Sequence, residues 1–251
     1  MAKQKSTVQV QGTIGNLTFF KSADGFMVKA KSEVSREKIF SDPKFERTRE
    51  NMAEFANAGS SAKIIRLPFT ALLQSAADPR MVSRFTSICL KVIKTDTAAE
   101  RGTRTVAKGD LTLLTGFDFN GKGIMSTTLL APFTVTFTRT TGSVQFDMPV
   151  FVPKLGMAAP RGATHYQLQL AAAAIDFTTS TNMSVQVGSA ILPWDNNPAV
   201  ALSLTASLPA NSTFPVFVVL QVQFMAQVNG SNYALQNGAY NACSIIHVDL
   251  P

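Results

Sequence analysis

Two periodicities divide this chain. Between Ser41 and Val92 apolar residues recur at spacings of three, four and seven, whereas from Leu111 onward they alternate with polar ones at a spacing of two. The first is the period of a helix with one dry face and the second that of a strand with one dry side. Asp42-Pro43 is a helix-start signal, since the carboxylate can accept first-turn N–H groups and proline has none to lose. From there Phe45, Met52, Phe55, Gly59 and Ala62 form the expected docking stripe, opposite Lys44, Glu46, Arg47, Arg49, Glu50 and Glu54. A second stripe, Ile65, Phe69 and Leu72, follows around Pro68. Asp78-Pro79 then repeats the start signal ahead of Met81, Phe85, Ile88 and Val92. A unit of two or three helices is predicted.

Residues 7 to 30 read as a three-stranded meander punctuated by Gly15-Asn16 and Asp24-Gly25, and residues 31 to 40 as a charged connector. So small a sheet needs something to pack against. In the second half, Phe133/Val135/Phe137, Val144/Phe146/Met148, Tyr166/Leu168/Leu170, Met183/Val185/Val187 and Val200/Leu202/Leu204 each alternate with polar residues. The run at 215 to 228 is apolar almost throughout at its start, the pattern of a central strand covered on both faces. The expected fold class is α+β: an N-terminal meander with helices, then a mainly antiparallel β-sandwich, immunoglobulin-like or jelly-roll-like. The polar stretch at 95 to 110 is the natural linker, dividing a basic unit at 1–108 from a charge-poor sandwich at 109–251.

Charge sharpens that division. The net charge of +7 hides a first 108 residues with 19 of the 23 Lys and Arg and 10 of the 16 Asp and Glu; the remaining 143 residues hold only ten charges. A freely dispersed small domain carries roughly 25–35% charged residues on its surface, so a wall this poor in charge is expected to meet other protein. No apolar run approaches the roughly 20 residues of a membrane span, and no apolar segment follows the basic N-terminus as in a secretory signal. Synthesis in the cytoplasm is expected, with the final location open, a released particle included.

Candidate chemistry is sparse. His165 and His247 sit on polar sides of strands without a second ligand at metal spacing, Cys89 and Cys243 read as buried thiols, and no nucleophile elbow, zinc or phosphate-loop motif occurs. No catalytic residue, metal or cofactor is expected, and the chain reads as non-enzymatic. Two sets of residues could make contacts. Arg80, Arg84, Lys91, Lys94, Arg101, Arg104 and Lys108 form a run interrupted only by Asp96 and Glu100 that could meet nucleic-acid phosphates; a solvated helix face is the plainer reading. Trp194, the sole tryptophan, lies between two prolines in LPWDNNP and could serve a sugar or a partner, though a core plug at a strand edge is the plainer reading.

The segments GTIGNLTFFKSADGFMVKAK, SDPKFERTREN, MVSRF, GATHYQLQLAAAAIDF and NGAYNA resemble a protein family of Bacteroidetes bacteria. The resemblance covers most of the chain. It implies a glycine-punctuated N-terminal hairpin, an Arg-containing helix and a β-rich C-terminal part, and lends no catalytic residues. The function expected is a structural protein that self-assembles as a homo-oligomer into a particle, tube or filament, possible as a virion-like or phage-like shell or tail component alongside other particle components. The alternatives are a carbohydrate- or surface-binding sandwich module and a basic nucleic-acid-binding accessory protein.

Overall fold

The computed structural model describes residues 1–5, 8–22, 24–31 and 34–251, with the side chain of Gln236 outside that description. The start of the expected meander at Thr7 and part of the charged connector, Ser32 and Glu33, therefore lie outside it. The chain forms two compact units, Met1–Asn51 and Met52–Pro251.

In the first unit the strands β1 (Ala2–Lys3), β2 (Gly12–Ile14), β3 (Leu17–Ser22) and β4 (Gly25–Ala30) pair antiparallel in the order β1-β4-β3-β2. The expected three-stranded meander is present, with its first strand at Gly12–Ile14 instead of the Val8/Val10 run that the apolar pattern favours, and it gains β1 as a fourth member. Gly25 takes φ of 106° at the β3–β4 turn, a conformation that L side chains seldom adopt. The connector contains a short helix, α1 (Arg36–Ser41), capped by Ser35. The start signal works as its chemistry dictates: Asp42 Oδ1 accepts the Lys44 N–H at 2.9 Å, and one 3-10 turn leads into α2 (Glu46–Arg66). None of the described residues before Met52 is buried.

The second unit has three layers. Its helices are the rest of α2, α3 (Thr70–Leu73), α4 (Met81–Ile93) and the single turns α5 (Met125–Thr128) and α6 (Pro153–Gly156). The larger sheet contains β7 (His165–Asp176), β8 (Thr181–Gly188), β9 (Leu192–Pro193), β11 (Val216–Val228), β12 (Ser231–Ala234) and β13 (Ala242–Asp249). A smaller sheet of β5 (Thr134–Thr138), β6 (Ser143–Met148) and β10 (Leu202–Ser207) runs in the order β10-β6-β5. Every pairing is antiparallel, and β11 lies between β7 and β13.

Two apolar layers follow from the strand period. Val144, Phe146, Leu204 and Ala206 of the smaller sheet meet Leu168, Leu170, Val218 and Leu220 of the larger, which makes the sandwich. The opposite face of the larger sheet, through Ala171, Ala173, Phe217 and Val219, packs against Ala62, Ile65, Phe69, Phe85 and Val92 of the helical layer. β11 is covered on both faces, as its unbroken apolar run predicts. The alternation read at 165–170 is present, with His165, Gln167 and Gln169 half-buried between buried neighbours, but β7 runs on through alanines at 171 to 174 that are all buried. Small side chains there let the helices come close on one face while the second sheet closes the other.

The helices dock partly as expected. Ile65, Phe69 and Leu72 are buried, and so are Met81, Phe85 and Val92, with Ile88 half-buried. The α2 stripe is rotated by one residue: Glu54, Ala58, Ser61, Ala62 and Ile65 face inward, while Met52 and Phe55 stand 47% and 60% exposed. Alanine and serine permit close approach, and Glu54 is drawn in by a backbone partner, so size alone mis-sets the phase. The stretch read as a linker is strapped to the helices. Gly102 N–H donates to Glu54 Oε1 at 3.0 Å and Val106 N–H to Asn57 Oδ1 at 3.0 Å, while within the stretch Asp110 N–H donates to Thr95 Oγ1 at 2.7 Å. Gln221 ties sheet to helix by donating to Leu72 O and Ser75 Oγ at 3.2 and 2.7 Å.

Candidate interaction surfaces

The seven basic residues singled out by sequence do unlike things. Arg80, Lys91, Lys94, Arg101 and Lys108 are exposed, whereas Arg84 and Arg104 are half-buried. Arg84 is spent on the fold. Its Nη2 pairs with Asp78 and donates to Phe119 O at 3.2 Å, its Nη1 donates to Asp118 O at 2.8 Å, and the guanidinium stands 5.2 Å over the Phe117 ring. Arg104 donates from Nε to Ala99 O at 3.3 Å. Burial works against the charged form of Asp78, but the N–H of Gly121, the Arg84 guanidinium and the N–H of Arg80 outweigh it and hold this carboxyl below the usual carboxylate range. A guanidinium already forked onto two carbonyls and a carboxylate has little left to offer a phosphate.

Trp194 lies at the end of β9 and is half-buried against the sandwich core. Its indole N–H donates to Met157 O at 3.4 Å, and the Lys154 ammonium sits 5.6 Å from the ring. The backbone on either side is fixed, with Trp194 N–H on Thr164 O at 2.8 Å and Lys154 N–H on Asp195 O at 3.1 Å. Next to it opens a cavity of about 320 Å³, walled by Pro153, Tyr166, Leu192, Asp195, Pro198 and Leu202 among others. Tyr166 is fully buried, its ring 6.3 Å from that of Phe151. Its hydroxyl has no hydrogen-bond partner among the described residues. Burial, reinforced by the neighbouring Asp195 charge, pushes this phenol up to about 12. Asp195 accepts from Asn197 N–H at 2.9 Å and from Asn197 Nδ2 at 2.8 Å. Sequence reasoning took Tyr166 for an ordinary dry-side residue; the one available signal was a hydroxyl on a side where its neighbours are leucines.

A third feature was not read from the sequence. Leu130, Val150, Leu155 and Val200 are 58%, 60%, 75% and 84% exposed. They belong to three segments stitched together at one end of the sandwich. Leu130 N–H and Ala131 N–H both donate to Gly156 O, at 2.8 and 2.9 Å, and Ala199 N–H donates to Phe151 O at 2.7 Å. The Phe151 ring and Ala131 Cβ close around Gly156 so tightly that a Cβ there would lie 2.6 and 2.9 Å from them. A hollow of about 470 Å³ lined by Phe133, Met148 and Leu202 adjoins this end.

His165 Nδ1 lies 2.9 Å from Thr164 Oγ1, and both histidines are half-buried. Among the described residues no group of three or more His, Cys, Asp or Glu converges on a point, and no helix is long and apolar enough to cross a membrane. Compared with known proteins, the chain matches no family model and no curated protein.

Proposed function

We propose that this protein is a non-catalytic building block that associates with copies of itself, the apolar end of the sandwich forming the contact. The observation that carries this reading is the group Leu130, Val150, Leu155 and Val200, four aliphatic side chains turned to water on hydrogen-bonded segments whose one charge is Lys154. Left wet, each such side chain forgoes roughly 1.5–3 kcal/mol of burial. Contiguous exposed apolar surface of this kind marks protein contacts.

Two further features support it. The edge strands β5 and β8, TVTFT and TNMSVQVG, contain neither charge nor proline, the residues with which free-standing proteins blunt an edge. The N-terminal sheet has no buried described residue, so it lacks a core and gains by being covered. A closed symmetric oligomer, or a tube or filament if the contact is head-to-tail, follows from the same surface. Light scattering coupled to size exclusion tests the idea. The expected result is a discrete multiple of 27.0 kDa that Leu155→Glu with Val200→Glu reduces to the single chain. A 27.0 kDa species of the unaltered protein at high concentration would end it.

A further inference from the structure

The N-terminal sheet has two unlike faces. Its register puts Ile14, Leu17, Phe19, Phe26 and Val28 on one side, with Lys21 opposite Phe26. The other side carries Lys3, Met27 and Phe20 in one row across β1, β4 and β3, and Lys29, Thr18 and Thr13 in the next across β4, β3 and β2. Two contacts fix the side chains of this second face. The Lys29 ammonium stands 5.6 Å from the centre of the Phe20 ring, and a Cβ added at Gly25 would lie 3.4 Å from Lys3 Cε. Lys3 and Lys29 are exposed, and neither Phe20 nor Met27 is buried. No residue of the four strands is acidic, and Asp24 is the one acid in residues 1–31 against five lysines.

A face that met only water would not hold a phenylalanine and a methionine between lysines, since both forgo burial there. A second copy of the chain is a poor cover for it. The same face brings lysine against lysine, and the sandwich has only ten charges in 143 residues with which to answer them. A polyanion that also carries flat rings answers both features. We propose that this face is a platform for single-stranded nucleic acid, one base stacking on Phe20 beside Met27 and the flanking phosphates meeting Lys3 and Lys29. As the base takes the ring, the exposed Lys29 ammonium swings from it to a phosphate. Every base has a face to stack, so no sequence is selected. A duplex keeps those faces inside its own stack and offers the lysines its phosphates alone. The platform lies within one chain and does not depend on the contact at the sandwich end.

Fluorescence anisotropy of a labelled oligothymidylate of about ten nucleotides, titrated with the full chain at several salt concentrations, tests this. The expected result is saturable binding that weakens with salt and is tighter than for a duplex of the same length. Phe20→Leu is expected to weaken it roughly five- to hundredfold, the loss of one base stack, and Lys29→Gln to lower the salt slope by about 0.7, the loss of one phosphate contact. Because removing the ring can loosen so small a sheet, Phe20→Trp gives a second reading: the affinity is kept, and the added fluorescence is quenched as a base stacks on the indole. Absence of binding at low salt, equal affinity for the duplex, unchanged affinity in Phe20→Leu, or an unquenched Phe20→Trp would each overturn the proposal. So would retention on vesicles of anionic phospholipid without binding to the oligonucleotide, which would make a lipid surface the occupant.

Discussion

The Glu54 carboxylate, 6% exposed on the inward face of α2, accepts the backbone N–H of Gly102 at 3.0 Å across 48 residues of sequence. That bond fixes the rotation of α2 and anchors the polar stretch after α4. Glu54→Ala strands the Gly102 N–H and is expected to destabilise by about 1–3 kcal/mol, while Glu54→Gln, which keeps an acceptor, costs clearly less. Urea denaturation of the two variants checks the order, and equal losses would show the hydrogen bond to be incidental.

Arg84 and Lys91 look alike in sequence and differ in the fold. Arg84→Lys removes the fork that reaches Asp118 O, Phe119 O and Asp78, and is expected to cost about 1–3 kcal/mol; Lys91→Ala, on an exposed residue, stays within about 0.5 kcal/mol. Thermal melts of both variants distinguish them.

The depressed carboxyl of Asp78 predicts a pH dependence. A group held lower in the folded chain than in the unfolded one adds stability that is complete above the unfolded value of about 3.9 and is lost as pH falls through the folded value. Asp118 works in the opposite sense, because burial raises it. Comparing the pH 6 to pH 3 change in urea midpoint for the unaltered chain and for Asp78→Asn isolates the first group, and a smaller loss is expected in the variant.

Gly109 holds the strap against α4, where an added Cβ would lie 2.2 Å from Val92 O. The backbone cannot yield there as a flexible side chain would. Gly109→Ala is expected to destabilise by about 1–3 kcal/mol and to raise hydrogen exchange first at residues 95–110.

Both cysteines are free and buried; burial pushes the Cys89 thiol up to about 12 and raises Cys243 as well. Thiolate is the reactive form, so neither should be alkylated by iodoacetamide at pH 8 in the folded protein, and both should be in denaturant. Mass spectrometry after a timed exposure reads this directly.

Much of the architecture was legible because strand period and turn chemistry are local. The alternations at 144–148, 166–170 and 183–187 fall on strands, that at 133–137 does so from Thr134 onward, and the near-continuous apolar run at 215 marks the central β11. Asp42-Pro43 initiates a turn that leads into a helix for the reason its residue types give. The phase of α2 was not legible, because a hydrophobic stripe weighs Phe55 above Ala58, whereas packing against a sheet rewards the smaller residue. Nor was the role of the 95–110 stretch, whose partners Glu54 and Asn57 lie about fifty residues away. Arg84 could not be told from Lys91 without the carbonyls of 118 and 119.

By itself, then, the sequence determined the longer helices and most of the longer strands, how charge is partitioned and which strand is central, since those depend on neighbours within a turn or a pleat. Only the tertiary structure decided which face of α2 is dry, which cations are spent on the fold, that the Tyr166 hydroxyl is buried with no partner among the described residues, and that Leu130, Val150, Leu155 and Val200 share one end of the sandwich. Those outcomes depend on groups brought together from distant positions, and no local pattern records the distance between them.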